Sequence, residues 1–144
     1  MASGKLKKAV LVFGTFDGLH EGHVFFLREA QKLGSKLIVS VAQDSSVVSL
    51  KNKVPRSPLP ERMLAVEKRF PEAEIVSGDT SLGSWSAIKK FKPDVVALGY
   101  DQLKLKSALI NSGPRPLPEI VVIKKHSNKI NPARPYPRGK RTGY

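Results

Sequence analysis

The chain has 144 residues, 40% of them hydrophobic, no cysteine, and a formal net charge of +13. That length suits one domain with one core, and the missing cysteines exclude a disulfide framework and thiol chemistry. No apolar run approaches the ~20 residues of a membrane helix, and Met1-Ala2-Ser3-Gly4-Lys5 lacks a leader's apolar region, so a cytoplasmic protein without a membrane partner is expected.

In chain order, Lys8–Phe13 is predicted as the first strand. Its run Ala9-Val10-Leu11-Val12 does not alternate, which marks a strand buried on both faces. A glycine-rich turn follows. Gly22–Leu33 is predicted as a helix with Val24, Phe26, Leu27 and Ala30 near its inward side, stopped by Gly34. Lys36–Ala42 is a β-branched second strand, and Ser45–Leu50 a short helix. Lys51–Leu59, rich in Lys, Pro and Arg, is predicted as a loop, and Pro60–Phe70 as a helix with proline at its first position. Glu74–Ser77 is a third strand, Gly78–Gly83 a turn and Ser84–Phe91 a helix with a lysine-rich exposed side. Asp94–Leu98 is the fourth strand, Gln102–Asn111 a helix, and Ile120–Lys124 the fifth strand.

This alternation predicts an α/β fold: a single-domain, Rossmann-like open parallel sheet of five strands with helices on both faces. The domain is placed at 1–124. Residues 125–144 form a basic C-terminal tail able to complete the site. Ligands in such sheets bind beyond the carboxyl ends of the strands, at the switch point of strand order. The 14–23 turn, Gln43-Asp44 onward, and Gly99-Tyr100-Asp101-Gln102 all follow strand ends and should converge there.

The turn carries most of the chemical information. It runs Gly14-Thr15-Phe16-Asp17-Gly18-Leu19-His20-Glu21-Gly22-His23 and leads from a buried strand into a helix. Free backbone N–H groups and the positive end of the helix dipole make such a turn an anion site. Two histidines three residues apart can add hydrogen bonds to the same anion. No lysine follows the glycines, which excludes a Walker loop; glycines four apart exclude a dinucleotide fingerprint. A zinc pair would want a third ligand nearby, and no metal-binding residue is assigned.

The pattern G-T-F-D-x-L-H-x-G-H resembles the signature of the nucleotidyltransferase superfamily that includes the cytidylyltransferases and the small FAD synthases. Leu98-Gly99-Tyr100-Asp101-Gln102 is most similar to the small archaeal-type FAD synthases. The resemblance implies transfer of a nucleotidyl group from a nucleoside triphosphate to a phosphorylated acceptor, with Mg²⁺ accompanying the triphosphate and pyrophosphate leaving. It implies catalytic roles for His20 and His23, and for Lys53 in a loop that moves over the triphosphate, with Lys51 an alternative. It places Gly14, Thr15, Phe16, Gly22, Arg62, Gly99, Tyr100 and Asp101 against the nucleotide. Asp17 either caps the turn locally or orients a metal-bound triphosphate.

The leading substrates are ATP and FMN; CTP with glycerol phosphate or another phosphorylated alcohol is the alternative. Many family members carry R-T-x-G-I-S-T near the end, whereas this sequence reads Lys140-Arg141-Thr142-Gly143-Tyr144; Arg141 and Thr142 are either a remnant of that element, which the resemblance sets on the triphosphate, or a coincidence within the basic tail. Relatives of this kind are often homodimers. A reading of another class is a non-catalytic nucleic-acid-binding module. Residues 124–144 hold seven cations and no acid, but only Tyr136 and Tyr144 interleave with them, which gives that reading slight support.

Overall fold

The computed structural model describes residues 8–81 and 83–126, with the backbone alone at 49–51. In chain order the elements are β1 (Ala9–Gly14), α1 (Glu21–Gln31), β2 (Lys36–Val41), α2 (Asp44–Lys51), α3 (Leu59–Arg69), β3 (Glu74–Ser77), α4 (Ser86–Phe91), β4 (Val95–Gly99), α5 (Leu103–Ser112) and β5 (Glu119–Ile123). The strands form one parallel sheet in the order β3-β2-β1-β4-β5. The chain winds outward from β1 in one direction, then returns to its other side, so the switch point lies between β1 and β4.

Successive strand residues serve opposite faces of the sheet. Val10 and Val12, Leu37, Val39 and Val41, and Val95 and Ala97 join Leu27 and Ala30 of α1 and Val66 of α3 in one core. Leu11, Ile38, Val96 and Leu98 join Ile88 of α4 and Leu109 of α5 in the other. Helices thus cover both faces, as the unbroken apolar strands predict.

Element boundaries differ from the sequence reading in two informative places. Lys51 ends α2 rather than opening the loop; the helix stops one residue later, where Asn52 takes a left-handed conformation and donates its N–H to the Val48 carbonyl. The helix α4 begins at Ser86 rather than Ser84. Trp85 takes a left-handed φ of 54°, and the Asp79 carboxylate accepts the Ser86 N–H. Among the described residues no helix is long and apolar enough to cross a membrane.

Candidate active site

The β1–α1 turn delivers its histidines through backbone geometry. His20 is the N-cap of α1, in extended conformation, and its Nδ1 accepts the Gly22 N–H at 3.1 Å. His23, at the third helical position, returns the contact: its Nδ1 accepts the His20 N–H at 3.2 Å. This is a capping box built from two imidazoles, with the rings stacked at 3.8 Å between centroids. A ring nitrogen that accepts carries no proton, so each neutral ring bears its hydrogen on Nε2. The cap therefore fixes both tautomers, with the hydrogen of each ring on Nε2. Gly22 permits the arrangement, because a Cβ there would stand 3.0 Å from Cε1 of His20.

Behind the histidines, Phe16 has a φ of 52°, which bulky residues rarely adopt. Its buried ring lies edge-on to His23 at 5.5 Å and over Gly14, where a Cβ would come within 2.5 Å of Cζ. Gly14 and Phe16 thus back the histidine pair as a packed unit.

Two ties bind this turn to the loop 52–58. The Asp17 carboxylate accepts the N–H groups of Arg56 at 2.7 Å and Ser57 at 3.0 Å. The Arg62 guanidinium donates to the Thr15 and Ser57 carbonyls, each at 2.9 Å, and pairs with Asp44 at the start of α2. Arg62 is 1% exposed. It is not among the residues lining the cleft, and its donors are turned to three segments of the protein.

Asp17 ties the turn to residues 56 and 57 and also lines the cleft. The Arg56 N–H holds its carboxyl below the usual aspartate range, assisted by the Ser57 N–H and the charges of Arg56 and Arg62, while burial opposes the shift. A depressed folded value means that the tie stabilises fully above the unfolded value near 3.8 and is lost only as pH falls through the lower folded one. Asp17→Asn keeps one acceptor but turns an NH₂ group toward the second N–H. It is expected to raise the KM for the triphosphate several-fold and to lower the melting temperature at pH 7, with little difference from the parent once the pH is below the folded Asp17 pKa.

The turn opens on a cleft of about 1860 Å³ above the switch point, ample for two substrates. Gly14, Thr15, Phe16, Asp17, His20, Gly22 and His23 line it, together with Lys53 of the loop and Gly99, Tyr100 and Asp101 after β4. The 14–23 turn and Gly99–Gln102 meet there; of the cluster after β2, Ser46 and Val47 line the cleft, while Gln43 and Asp44 are turned to Gly78 and Arg62. Lys53, Arg56, Lys90, Lys104, Lys124 and Lys125 give the cleft a cationic rim suited to a polyanion. Of the remaining expected contacts, the side chain of Lys51 lies outside the described residues, as do Arg141 and Thr142. Among the described residues no cluster of three or more His, Asp or Glu could hold a metal ion.

The sequence reading passed over Gln102 as a site residue. Its Oε1 accepts the Gly99 N–H at 2.8 Å and its Nε2 donates to the Phe13 carbonyl at 2.9 Å, clamping the ends of β1 and β4 together at the switch point. His126 was also passed over; its ring packs on Phe25 at 4.8 Å and lines the cleft.

A parallel sheet whose switch point carries a histidine-capped anion turn under a cationic rim defines a nucleotidyltransferase. The family model described as cytidylyltransferase-like matches residues 11–130, and the chain belongs to that family. It is 41% identical over 100 residues to the FAD synthase of Pyrococcus abyssi, covering 69% of this chain and 68% of that one. It is 47% identical over 97 residues to the FAD synthase of Ferroglobus placidus, covering 66% of this chain and 60% of that one. The solved lipopolysaccharide core biosynthesis protein of Thermoplasma volcanium superposes with a TM-score of 0.70 at 30% identity, covering 83% of this chain and 98% of that one.

Proposed function

We propose that the protein transfers the adenylyl group of ATP to FMN, forming FAD and pyrophosphate. The observation that carries the reaction class is the reciprocal histidine cap, which presents two Nε2–H donors at a helix N-terminus inside the cleft. The likeness to FAD synthases supports ATP and FMN as the substrates.

In this reading a phosphate oxygen of FMN attacks the α-phosphorus of ATP. The bond from that phosphorus to the bridging oxygen breaks, and its electrons leave with pyrophosphate. Negative charge builds on the non-bridging and leaving oxygens. His20 and His23 donate to those oxygens, and their hydrogen bonds strengthen as the charge grows. The α1 N-terminus acts on the same atoms. Lys53, held near the turn by the Asp17 and Arg62 ties, covers the triphosphate. Asp101 accepts hydrogen bonds from ribose hydroxyls. Mg²⁺ enters as part of the substrate, bound to the triphosphate.

The basic tail adds attraction for the triphosphate. Removing residues 127–144 is expected to raise the KM for ATP, more strongly at low salt. Titrating ATP into the truncated protein at two salt concentrations checks this. The substrate assignment is tested by measuring pyrophosphate release with ATP or CTP against FMN, glycerol phosphate and other phosphorylated alcohols. Release confined to ATP with FMN supports the proposal, and release confined to CTP with an alcohol phosphate removes it.

A further inference from the structure

The sheet parts at the switch point. β1 stays paired with β2 as far as Gly14–Val41, and β4 with β5 as far as Gly99–Ile123. Between themselves, β1 and β4 pair only over Val10–Val12 and Val95–Ala97. The last residues of both strands thus border a gap that opens on the cleft, and Phe13, Gly14, Gly99 and Gln102 all line it. Backbone groups along such a gap must find partners other than the neighbouring strand. The Phe13 carbonyl and the Gly99 N–H both find theirs in one side chain, the Gln102 amide, at 2.9 and 2.8 Å. A primary amide offers the same donor and acceptor as a peptide, so Gln102 supplies one extra rung where the ladder has ended. Its side chain is given over to this rung. Gln102 is the N-cap of α5, yet it makes no side-chain cap hydrogen bond to that helix, the usual work of the position.

We propose that Gln102 is a positioning residue of the nucleotidyl transfer: by bridging the parted ends of β1 and β4, it sets the histidine turn and the Gly99–Asp101 segment at their working separation. The two peptides that it grips lead straight into those two halves of the site. Phe13–Gly14 opens the turn carrying His20 and His23. Leu98–Gly99 opens the segment in which the Asp101 carboxylate folds back, close enough that a Cβ on Gly99 would stand 3.0 Å from its Oδ1. A triphosphate held by both halves is aligned only while their spacing is fixed, and an error of about 1 Å in such a spacing can cost about 10² in rate. The inference needs the reaction class alone and does not depend on FMN as the acceptor.

Gln102→Glu keeps the shape of the residue. Ionised, it still accepts the Gly99 N–H but turns a second oxygen, with no proton, to the Phe13 carbonyl; protonated, it offers an O–H there and rebuilds the rung. Partial burial and the facing carbonyl oppose ionisation, so this glutamate takes up its proton above the usual glutamate range. Gln102→Met fills the same space and can form neither bond at any pH. At about pH 8 and saturating substrates, both variants are expected to lose about 10–100-fold in kcat, with a smaller rise in the KM for the triphosphate. As the pH falls to about 5.5, the kcat of Gln102→Glu relative to the parent should climb toward one, while that of Gln102→Met stays flat. Asp101, His20 and His23 line the same cleft and titrate in parent and variants alike, so they cancel in the ratio. Melting curves at each pH keep the assay below the unfolding of every variant, and Gln102→Met carries the test if Gln102→Glu does not fold at the higher pH. Pyrophosphate release is followed with ATP and FMN, or with whichever triphosphate and acceptor the parent turns over, so a failure of the FMN assignment leaves the comparison intact. A folded Gln102→Met with the parent's kcat, or a Gln102→Glu deficit unchanged by pH, would overturn the proposal and leave Gln102 a contact that only stabilises the fold.

Discussion

His20→Ala and His23→Ala are each expected to lower kcat by about 10²–10³, with much smaller changes in the KM for ATP. The reason is that the Nε2–H donors meet charge that exists in full only at the transition state. Each histidine also caps α1, and losing an N-cap typically costs about 1 kcal/mol, so alanine alone mixes two effects. His20→Asn separates them. Asparagine is a good N-cap whose side-chain oxygen can accept the Gly22 N–H, but it has no group where Nε2–H stands. It should melt close to the parent and stay as slow as His20→Ala. Recovery of turnover along with stability would reduce the histidine to a capping residue.

Arg62→Met is expected to destabilise the fold by about 1–3 kcal/mol, the range for leaving buried acceptors unpaired, since the Asp44 carboxylate is half exposed and can turn to water. Its guanidinium donates to the Thr15 and Ser57 carbonyls and to Asp44, and methionine leaves those acceptors without it. At about 2–4 °C per kcal/mol for a chain of this size, the melting temperature should drop by roughly 2–12 °C. Arg62→Lys keeps the charge but cannot span three partners with a point-like ammonium, so it should recover little of the loss. Because Arg62 joins the anion turn to the loop carrying Lys53, kcat/KM for ATP should fall in whatever fraction stays folded. A variant that loses activity at unchanged stability would instead show that Arg62 reaches the nucleotide. Thermal unfolding followed by circular dichroism decides between these.

These three residues also show where the sequence could be read and where it could not. Continuous apolar runs announced the buried parallel strands, and the edge strand Glu74–Ser77 falls where it was expected although none of its residues is buried. The strand-turn-helix around His20 and His23 was legible because all its parts are local. Their spacing of three even matches a capping box, although imidazole is not a usual member of one. The functions of Asp17 and Arg62 were not legible in the same way. Their partners lie 39 to 47 positions away along the chain for Asp17–Arg56 and Arg62–Thr15, and only the folded sheet brings them together. The resemblance set Arg62 against the nucleotide, and nothing in its neighbours along the chain points to the Thr15 and Ser57 carbonyls that it meets. Gln102 was hidden for the same reason, since its second partner, Phe13, is 89 residues distant. The start of α4 was misplaced because the Ser86 cap comes from Asp79, seven residues earlier, rather than from the adjacent serine.

The central claim is that this cleft joins the α-phosphorus of ATP to the phosphate of FMN. It is tested most directly by supplying ATP labelled at the α-phosphate, with Mg²⁺ and FMN, and separating the flavins by chromatography. The account predicts label in FAD, pyrophosphate in equal amount, and loss of both in His20→Asn. Label that stays in ATP or appears as free AMP, while α-labelled CTP passes into a phosphorylated alcohol, would contradict it.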